Sequence, residues 1–486
     1  LLVAIPQSPE TRRPDRAADR AEAARNRVLD RAVTFDLIDA EEAAAALREP
    51  VPGLRKPFPA LAPHLADRAR ADDPMAGEHH LTLDLTLQKQ LEALARDAVA
   101  GKGERLQIAI LVADHASGEI LASVGSAGFT EDRRQGYVDM TTALRSPGST
   151  LKPLVYALAF DEGLAHPETM IDDRPTVFGT YAPQNFDKLY RGTIRVREAL
   201  QQSLNIPVVM LTEAMGPARL LSAMGKAGMK YRLPGGQPGL AVSLGGVGVT
   251  LQDMVQLYAA LARGGVTLPL TWRANGDRAE GQRLVSAVAA WQVGDILAGL
   301  APPPGAPQNR LAYKTGTSYG HRDAWAIGFD GRHVIGVWMG RADGTPVPGA
   351  FGADTAAPVL FKAFNRLKPK LDPQPPAPPA ALLVSNAQLP QPLQRFRSRT
   401  AAFEAAADAP AVAFPPDGAE VELLPSGLMV RVRGGVAPFT WMVDGRPLMI
   451  GTRDRESLLE LPGAGFVTLS VIDATGKSAR ARVRVW

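Results

Sequence analysis

The sequence predicts a mixed α/β (α+β) domain, an antiparallel sheet flanked by helices, followed by a small all-β sandwich of immunoglobulin type. Three observations predict it. Between about residues 81 and 366, strand-like runs alternate with Ala/Leu-rich helical patterns, and the strands come in pairs joined by tight turns. From 367 to 410 the chain turns Pro-rich, most densely in P-K-L-D-P-Q-P-P-A-P-P-A from Pro369, which reads as a stiff polyproline spacer. Beyond about residue 411, short apolar/polar alternations recur at turn-limited intervals.

Length and composition narrow the function classes. At 486 residues with 45% hydrophobic content, two or three globular domains are expected. The formal charge is only +4 and no Lys/Arg block alternates with aromatics, so no nucleic-acid partner is expected. With no cysteine, the chain can hold neither a disulfide nor a thiolate metal site, and it offers no Cys nucleophile. No apolar run reaches about 18 residues, and the first residue is Leu rather than Met. The chain therefore reads as part of a longer precursor, with neither a membrane span nor an intact signal peptide in it.

Residues 1–50 read as helical, with one helix from Arg20 to Ala32 and a second opened by Asp39, whose capping box closes at Glu42. Residues 51–80 read as a linker. T-L-D-L-T-L-Q opens a helix reaching about Ala100; I-A-I-L-V-A-D from Ile108 reads as a buried strand that returns after Ser117-Gly118. Leu251 to Arg263 form another helix, ended by Gly264-Gly265. Residues 324–340 give two strands around Asp330-Gly331, a strong hairpin signal. In the last 76 residues, 411–486, Leu428, Val430 and Val432 alternate with Met429, Arg431 and Arg433. Phe439, Trp441 and Val443 repeat that alternation, as do Val467, Leu469 and Val471, and Ala479, Ala481, Val483 and Val485 alternate with Arg480, Arg482 and Arg484.

Chemistry concentrates at three single-copy motifs. Ser149 and Lys152 form S-x-x-K at the start of a predicted helix, where one turn puts an amine beside a hydroxyl that it can deprotonate. Ser203, Leu204 and Asn205 form S-x-N, and Lys314, Thr315 and Gly316 form K-T-G, followed by Thr317 on a predicted strand. Any one alone is weak. The three in this order are a specific signature. Arg322 and Asp323, just beyond, read as a structural ion pair, while Tyr181, Asn185 and Asp187 occupy a loop that either lines a cleft or makes local turns.

This combination resembles the penicillin-binding proteins and serine β-lactamases. Y-A-P-Q-N-F-D from Tyr181, S-L-G-G-V-G-V-T from Ser243 and K-T-G-T-S-Y-G-H-R-D-A-W-A-I-G-F from Lys314 resemble the transpeptidase domain of bifunctional class A penicillin-binding proteins of the 1C type. P-Q-S-P-E-T-R-R-P-D-R near the N-terminus resembles the end of that family's glycosyltransferase domain, and the last 75 or so residues resemble its C-terminal β domain. The resemblance implies a peptidoglycan D,D-transpeptidase acting on D-Ala-D-Ala stem peptides and acylated by β-lactams, periplasmic, with an inner-membrane anchor in the precursor. Glycan polymerisation is not expected from this chain.

On that expectation Ser149 is the nucleophile and Lys152 its base, with Ser203 relaying the proton to the leaving amine. Asn205 holds Lys152 and the substrate amide. Lys314, Thr315 and Thr317 receive the substrate carboxylate, and Gly316 gives its backbone room. By resemblance, the backbone N–H groups of Ser149 and Thr317 form the oxyanion hole. No metal or cofactor is needed. The alternatives are a D,D-carboxypeptidase and a catalytically idle β-lactam sensor or scaffold; a class A β-lactamase is disfavoured because no Glu-x-x-x-Asn follows the S-x-N motif. The C-terminal domain carries no catalytic constellation and is expected to be an interaction or positioning module.

Overall fold

A computed structural model describes the chain except for residues 54–59, 179–180, 275, 277–279, 309, 350, 398–408 and 462. Strand β1 (Gln107–Asp114) is buried at every position, as its apolar run requires. It lies second in an antiparallel sheet of five strands with β2 (Ile120–Val124), β7 (Ala312–Thr317), β8 (Asp323–Phe329) and β9 (His333–Gly340), in the order β2-β1-β9-β8-β7. Helices α4 (Leu85–Val99) and α11 (Ala357–Leu367) cover one face, where Ile108, Ile110 and Val112 of β1 meet Leu91 and Phe364. Helix α9 (Leu251–Ala262) covers the other, with α5 (Lys152–Asp161) and α10 (Ala287–Ala298) beside it.

Every residue of α9 except Gln252 is buried, so its apolar surface runs all the way round rather than along one stripe. Thr250 and Asp253 close a capping box at its start. The helix approaches β9 at Gly336, where a Cβ would lie 2.5 Å from Val255 Cγ2. Helices thus flank an antiparallel sheet, as the sequence predicts.

The chain packs as two compact units, the first made of Leu1–Glu168, Arg197–Ser203 and Pro217–Ser385. Near its start, α1 (Ala18–Thr34) packs on α2 (Ala40–Arg48), and Asp39 caps α2 by the predicted box: Glu42 N–H donates to Asp39 Oδ1 at 2.7 Å. Residues 51–80, expected to be a linker, contain α3 (Pro63–Asp72) outside the undescribed 54–59. That helix is polar overall and buries only His64, Leu65 and Ala69, which leaves too little periodicity to read. Apart from its first residue, α6 (Val196–Gln201) belongs to this unit, as do α8 (Pro217–Lys226) and the short pair β5 (Val266–Thr267) and β6 (Gln282–Arg283).

The Pro-rich tract is not a free spacer where it leaves α11. Gly331 N–H donates to Asp372 O at 3.1 Å, Gln374 Nε2 to Phe329 O at 3.1 Å and Trp291 Nε1 to Pro375 O at 3.2 Å. Lys368 adds an ion pair to Asp372 at 2.6 Å and another to buried Asp330. Prolines lack N–H donors, so the strap is held through its carbonyls and the side chains around it.

The second unit comprises Thr169–Val196, Leu204–Gly216 and Asn386–Trp486. Residues 169–196 and 204–216, expected with the 81–366 domain, group here because the first is tied to residues late in the chain and the second packs on the first. Hairpin β3 (Met170–Asp173) and β4 (Gly192–Arg195) is tied by Asp172 to Arg395 at 2.9 Å, and Thr169 Oγ1 donates to Leu393 O in α12 (Gln391–Gln394) at 2.6 Å. Helix α7 (Asn205–Met215) packs beside β3.

The rest is the predicted β-sandwich. Strands β10 (Ala411–Phe414), β12 (Leu428–Arg433) and β15 (Glu456–Leu459) form a three-stranded sheet in that order. The second sheet runs β11-β17-β16-β13-β14, with β11 (Glu420–Val421), β13 (Phe439–Val443), β14 (Arg446–Thr452), β16 (Gly465–Ile472) and β17 (Ser478–Val485). The inward residues Val430, Phe439, Trp441, Leu469 and Val483 make the core, in the alternation read from the sequence. The short β11 pairs parallel to β17, a return that no local pattern announces.

Candidate active site

Ser149 lies in a 3₁₀ turn, Gly148–Leu151, and this turn rather than an α-helix carries it directly into α5, where Lys152 is the first residue. Thr150 fixes the turn: its Oγ1 donates to Pro147 O at 2.6 Å and its carbonyl accepts from Tyr258 Oη of α9 at 2.8 Å. Trp325 Nε1 holds the approach by donating to Ser146 O at 2.8 Å.

The turn lies back to back with β7. Gly148 has φ +52°, and a Cβ there would meet Thr317 O at 2.5 Å; a Cβ on Gly316 would meet Pro147 O at 2.7 Å and Thr150 N at 2.9 Å. The sequence reading gave Gly316 the task of admitting substrate backbone. The atoms a side chain would displace belong instead to the serine turn, so the glycine admits the nucleophile's own support.

Ser203 brings the first and third motifs together. It adopts φ +58°, a left-handed conformation unusual for a residue with a Cβ. Lys314 Nζ donates to Ser203 Oγ at 2.8 Å and to Thr315 O at 3.0 Å. Lys152 Nζ donates to Ser203 O at 2.6 Å and lies 3.5 Å from Ser203 Oγ. Both amines are out of solvent, Lys152 being 0% and Lys314 1% exposed. Burial lowers the Lys314 pKa from 10.5 to about 7, because the low-dielectric interior penalises the ammonium form.

Ser149, Thr315 and Thr317 are half-buried on the accessible side. Thr317 Oγ1 accepts from Gly352 N–H at 3.1 Å, which leaves its hydroxyl proton to donate. Asn205 belongs to the second unit and opens α7 there. Its N–H donates to Asn185 Oδ1 at 2.8 Å and its Nδ2 to Gln184 O at 2.6 Å.

Asn185 has more to do than its sequence context shows. Buried, it donates from Nδ2 to both oxygens of Asp173 at 2.8 and 2.9 Å and to Leu189 O at 2.8 Å, tying the 184–191 loop to the start of α7. Asp187 pairs with Arg191 at 2.6 Å and Tyr181 bridges Phe178, which is local turn chemistry. Asp323 differs from expectation in its partners. Buried, with its pKa raised chiefly by that burial, it accepts from Trp338 Nε1 at 3.0 Å and faces Arg145 at 3.7 Å, while Arg322 is exposed. Tyr258, Arg145 and Asn185 carry no sequence signal for these roles, since each meets partners across long stretches of chain or within an irregular loop.

Among the described residues, one cluster has metal-ligand chemistry: Asp330, His333 and Asp372. Lys368 Nζ already sits there, 2.6 Å from Asp372 Oδ2 and 2.8 Å from His333 Nδ1, so an ammonium supplies the positive charge.

Residues 108–346 match the model of the penicillin binding protein transpeptidase domain, and residues 399–485 that of the penicillin-binding protein C-terminus family. The chain is 42% identical over 372 residues to penicillin-binding protein 1C of Escherichia coli, covering 76% of this chain and 48% of that protein. It is 31% identical over 399 residues to penicillin-binding protein 1B of Vibrio cholerae, covering 73% and 50%. The chain thus spans about half the length of these relatives. Its fold is similar to the crystal structure of penicillin-binding protein 1A from Haemophilus influenzae, with TM-score 0.59 and 18% identity over 77% of this chain and 80% of that one. The chain therefore belongs to the penicillin-binding proteins, with a transpeptidase domain at residues 108–346 and that family's C-terminal domain at residues 399–485.

Proposed function

We propose that this chain is a peptidoglycan D,D-transpeptidase that cross-links stem peptides through a serine acyl-enzyme and is acylated by β-lactams. The observation that carries the reading is the convergence of Lys152 and Lys314, both buried, on Ser203. Ser149 Oγ attacks the carbonyl of the penultimate D-Ala, forming an ester and breaking the peptide bond to the terminal D-Ala. Lys152 takes the hydroxyl proton. Ser203 passes a proton to the leaving amine, and Lys314, balanced near pH 7, replenishes it at 2.8 Å. The acceptor amine of a second stem peptide then attacks the ester, its proton passing through Ser203 to Lys314, while Lys152 returns the hydroxyl proton to Ser149 as the ester bond breaks.

Lys314, Thr315 and Thr317 receive the terminal carboxylate, and the N–H groups of Ser149 and Thr317 stabilise the oxyanion. Asn205 orients the substrate amide. None of these steps uses a metal. Among the described residues no helix is long and apolar enough to cross a membrane. The reaction belongs on the periplasmic side, where the polymer is, with the precursor anchored in the inner membrane.

The test supplies a donor pentapeptide and a labelled D-amino acid or amine acceptor. The expected result is acceptor incorporation, with fluorescent penicillin labelling abolished by Ser149→Ala. D-Ala release without incorporation would make the chain a carboxypeptidase, and acylation by penicillin without peptide turnover would make it a sensor. Labelling that survives Ser149→Ala overturns the nucleophile assignment.

A further inference from the structure

The outer face of the sandwich's five-stranded sheet, β11-β17-β16-β13-β14, carries an arginine ladder that the transpeptidase chemistry does not use. On β17, Ala481, Val483 and Val485 point into the sandwich, while Arg480, Arg482 and Arg484 stand exposed on the other side. Residues two apart on one face of a strand are about 7 Å apart, so three guanidinium groups share about 14 Å of surface.

Of the three, only Arg484 has an acidic cross-strand neighbour. Arg484 faces Phe466, with its guanidinium 5.8 Å from the ring centroid, and pairs with Glu420 at 3.2 Å. Arg482 faces Thr468 and Arg480 faces Ser470, hydroxyls where a carboxylate would offset the charge. Asp417 accepts from the backbone N–H of Arg482 and not from its guanidinium. Neither the Arg480 nor the Arg482 guanidinium has a side-chain partner among the described residues. Composition does not force this: residues 411–486 hold nine basic and eight acidic side chains, and Glu456 and Glu460 lie on or beside the other sheet. The positive charge is placed, not merely present.

We infer that this face binds the carboxylate-bearing glycopeptide of the cell wall itself, apart from the catalytic cleft. The inference rests on the reading of the chain as a cell-wall transpeptidase. Charge complementarity selects a polyanion, and guanidinium groups suit carboxylates because they bond them in pairs. The repeat selects a polymer. An exposed ion pair contributes little by itself, so a partner with one carboxylate would dissociate readily, whereas a mesh with a carboxylate on every stem peptide offers neighbouring sites at high effective concentration. Hydroxyls at Thr468 and Ser470 can bond sugars or peptide amides, and Phe466, 84% exposed, gives an apolar platform beside them.

The experiment sediments the full chain, with Ser149 first acylated by fluorescent penicillin, against purified insoluble peptidoglycan. Three substrates are compared: native peptidoglycan, peptidoglycan whose carboxylates have been converted to methylamides, and phosphatidylglycerol vesicles. Wild type is set beside the double variant Arg480→Gln/Arg482→Gln and the control Arg433→Gln on the other sheet. The expected result is about fivefold weaker binding of the double variant to native peptidoglycan, loss of wild-type binding on amidation, weakening as salt rises, and no change in Arg433→Gln.

Far-ultraviolet circular dichroism and penicillin labelling equal to wild type show that the double variant is folded. Equal binding by wild type and double variant, or binding indifferent to amidation, overturns the proposal. Stronger binding to the vesicles than to peptidoglycan overturns it in favour of a membrane surface. Absent penicillin labelling in the wild type, with carboxylate-dependent binding retained, defeats the transpeptidase reading and not this one.

Discussion

Replacing Lys314 with Met should make the protein more stable and inactive at once. The folded chain holds the Lys314 pKa at about 7 and the unfolded chain at the usual 10.5, so between those values the unfolded state binds the extra proton. Stability therefore rises with pH across that window and is flat below it. Linkage puts the burial penalty at about 4 kcal/mol at pH 7 and about 2 kcal/mol at pH 9. Methionine has similar length, fills the same space and escapes the penalty, but it leaves Ser203 Oγ and Thr315 O without their donor, at about 1 kcal/mol each. The net expectation is a gain of about 2 kcal/mol at pH 7 that shrinks to about zero by pH 9. Urea unfolding of wild type and Lys314→Met at both pH values measures it, with penicillin labelling of the same samples expected to be lost. A variant less stable than wild type at pH 7, or a difference that does not narrow by pH 9, would refute the argument.

Gly316→Ala should cost about 1–3 kcal/mol and slow penicillin acylation, because its Cβ meets Pro147 O and Thr150 N, backbone atoms that cannot swing aside. Stopped-flow labelling and thermal unfolding read the two effects; unchanged values in both would show that the turn can shift freely. Asn185→Ala should cost about 1–3 kcal/mol by leaving buried Asp173 short of a donor. On the proposed role of Asn205 it should also slow acylation, by removing Asn185 Oδ1, the acceptor of the Asn205 N–H; Asn185→Asp keeps that acceptor but sets a second carboxylate against Asp173, so it should not restore the rate. Acylation at the wild-type rate in a destabilised Asn185→Ala would confine that residue to stability.

What the sequence disclosed was mostly local. Asp39 and Glu42 are three residues apart and need no distant partner to form their box, and Asp330-Gly331 joins two strands that are themselves contiguous. The alternation in β12, β13, β16 and β17 is likewise legible because one face of each strand is dry and the other wet. The three motifs could be found, and K-T-G could be put on a strand, because each is short and ordered along the chain. What stayed hidden depends on contacts between remote residues. Nothing near Gly316 in sequence tells that Thr150, far upstream, lies against it, and nothing near Lys314 tells that it is sealed from water. Asp323 looked paired with its neighbour Arg322 and instead faces Arg145 and Trp338. The Pro-rich tract looked detached because prolines form no core, yet Asp330 and Lys368 fasten it.

The glycine contact between the serine turn and β7 has a consequence for inhibition. Gly148 and Gly316 bring the two backbones together with no room for a side chain between them, so on the proposed mechanism the nucleophile and the carboxylate pocket behave as one casting with a fixed gauge between them. A substitution cannot widen that gauge at Thr317 without dragging Ser149 along. Resistance to a β-lactam by local adjustment of the pocket would then carry its own handicap, since the same displacement misaligns the hydroxyl for the natural peptide. Escape is easier at exposed residues beyond the strand, such as Tyr319, which can change without touching the contact.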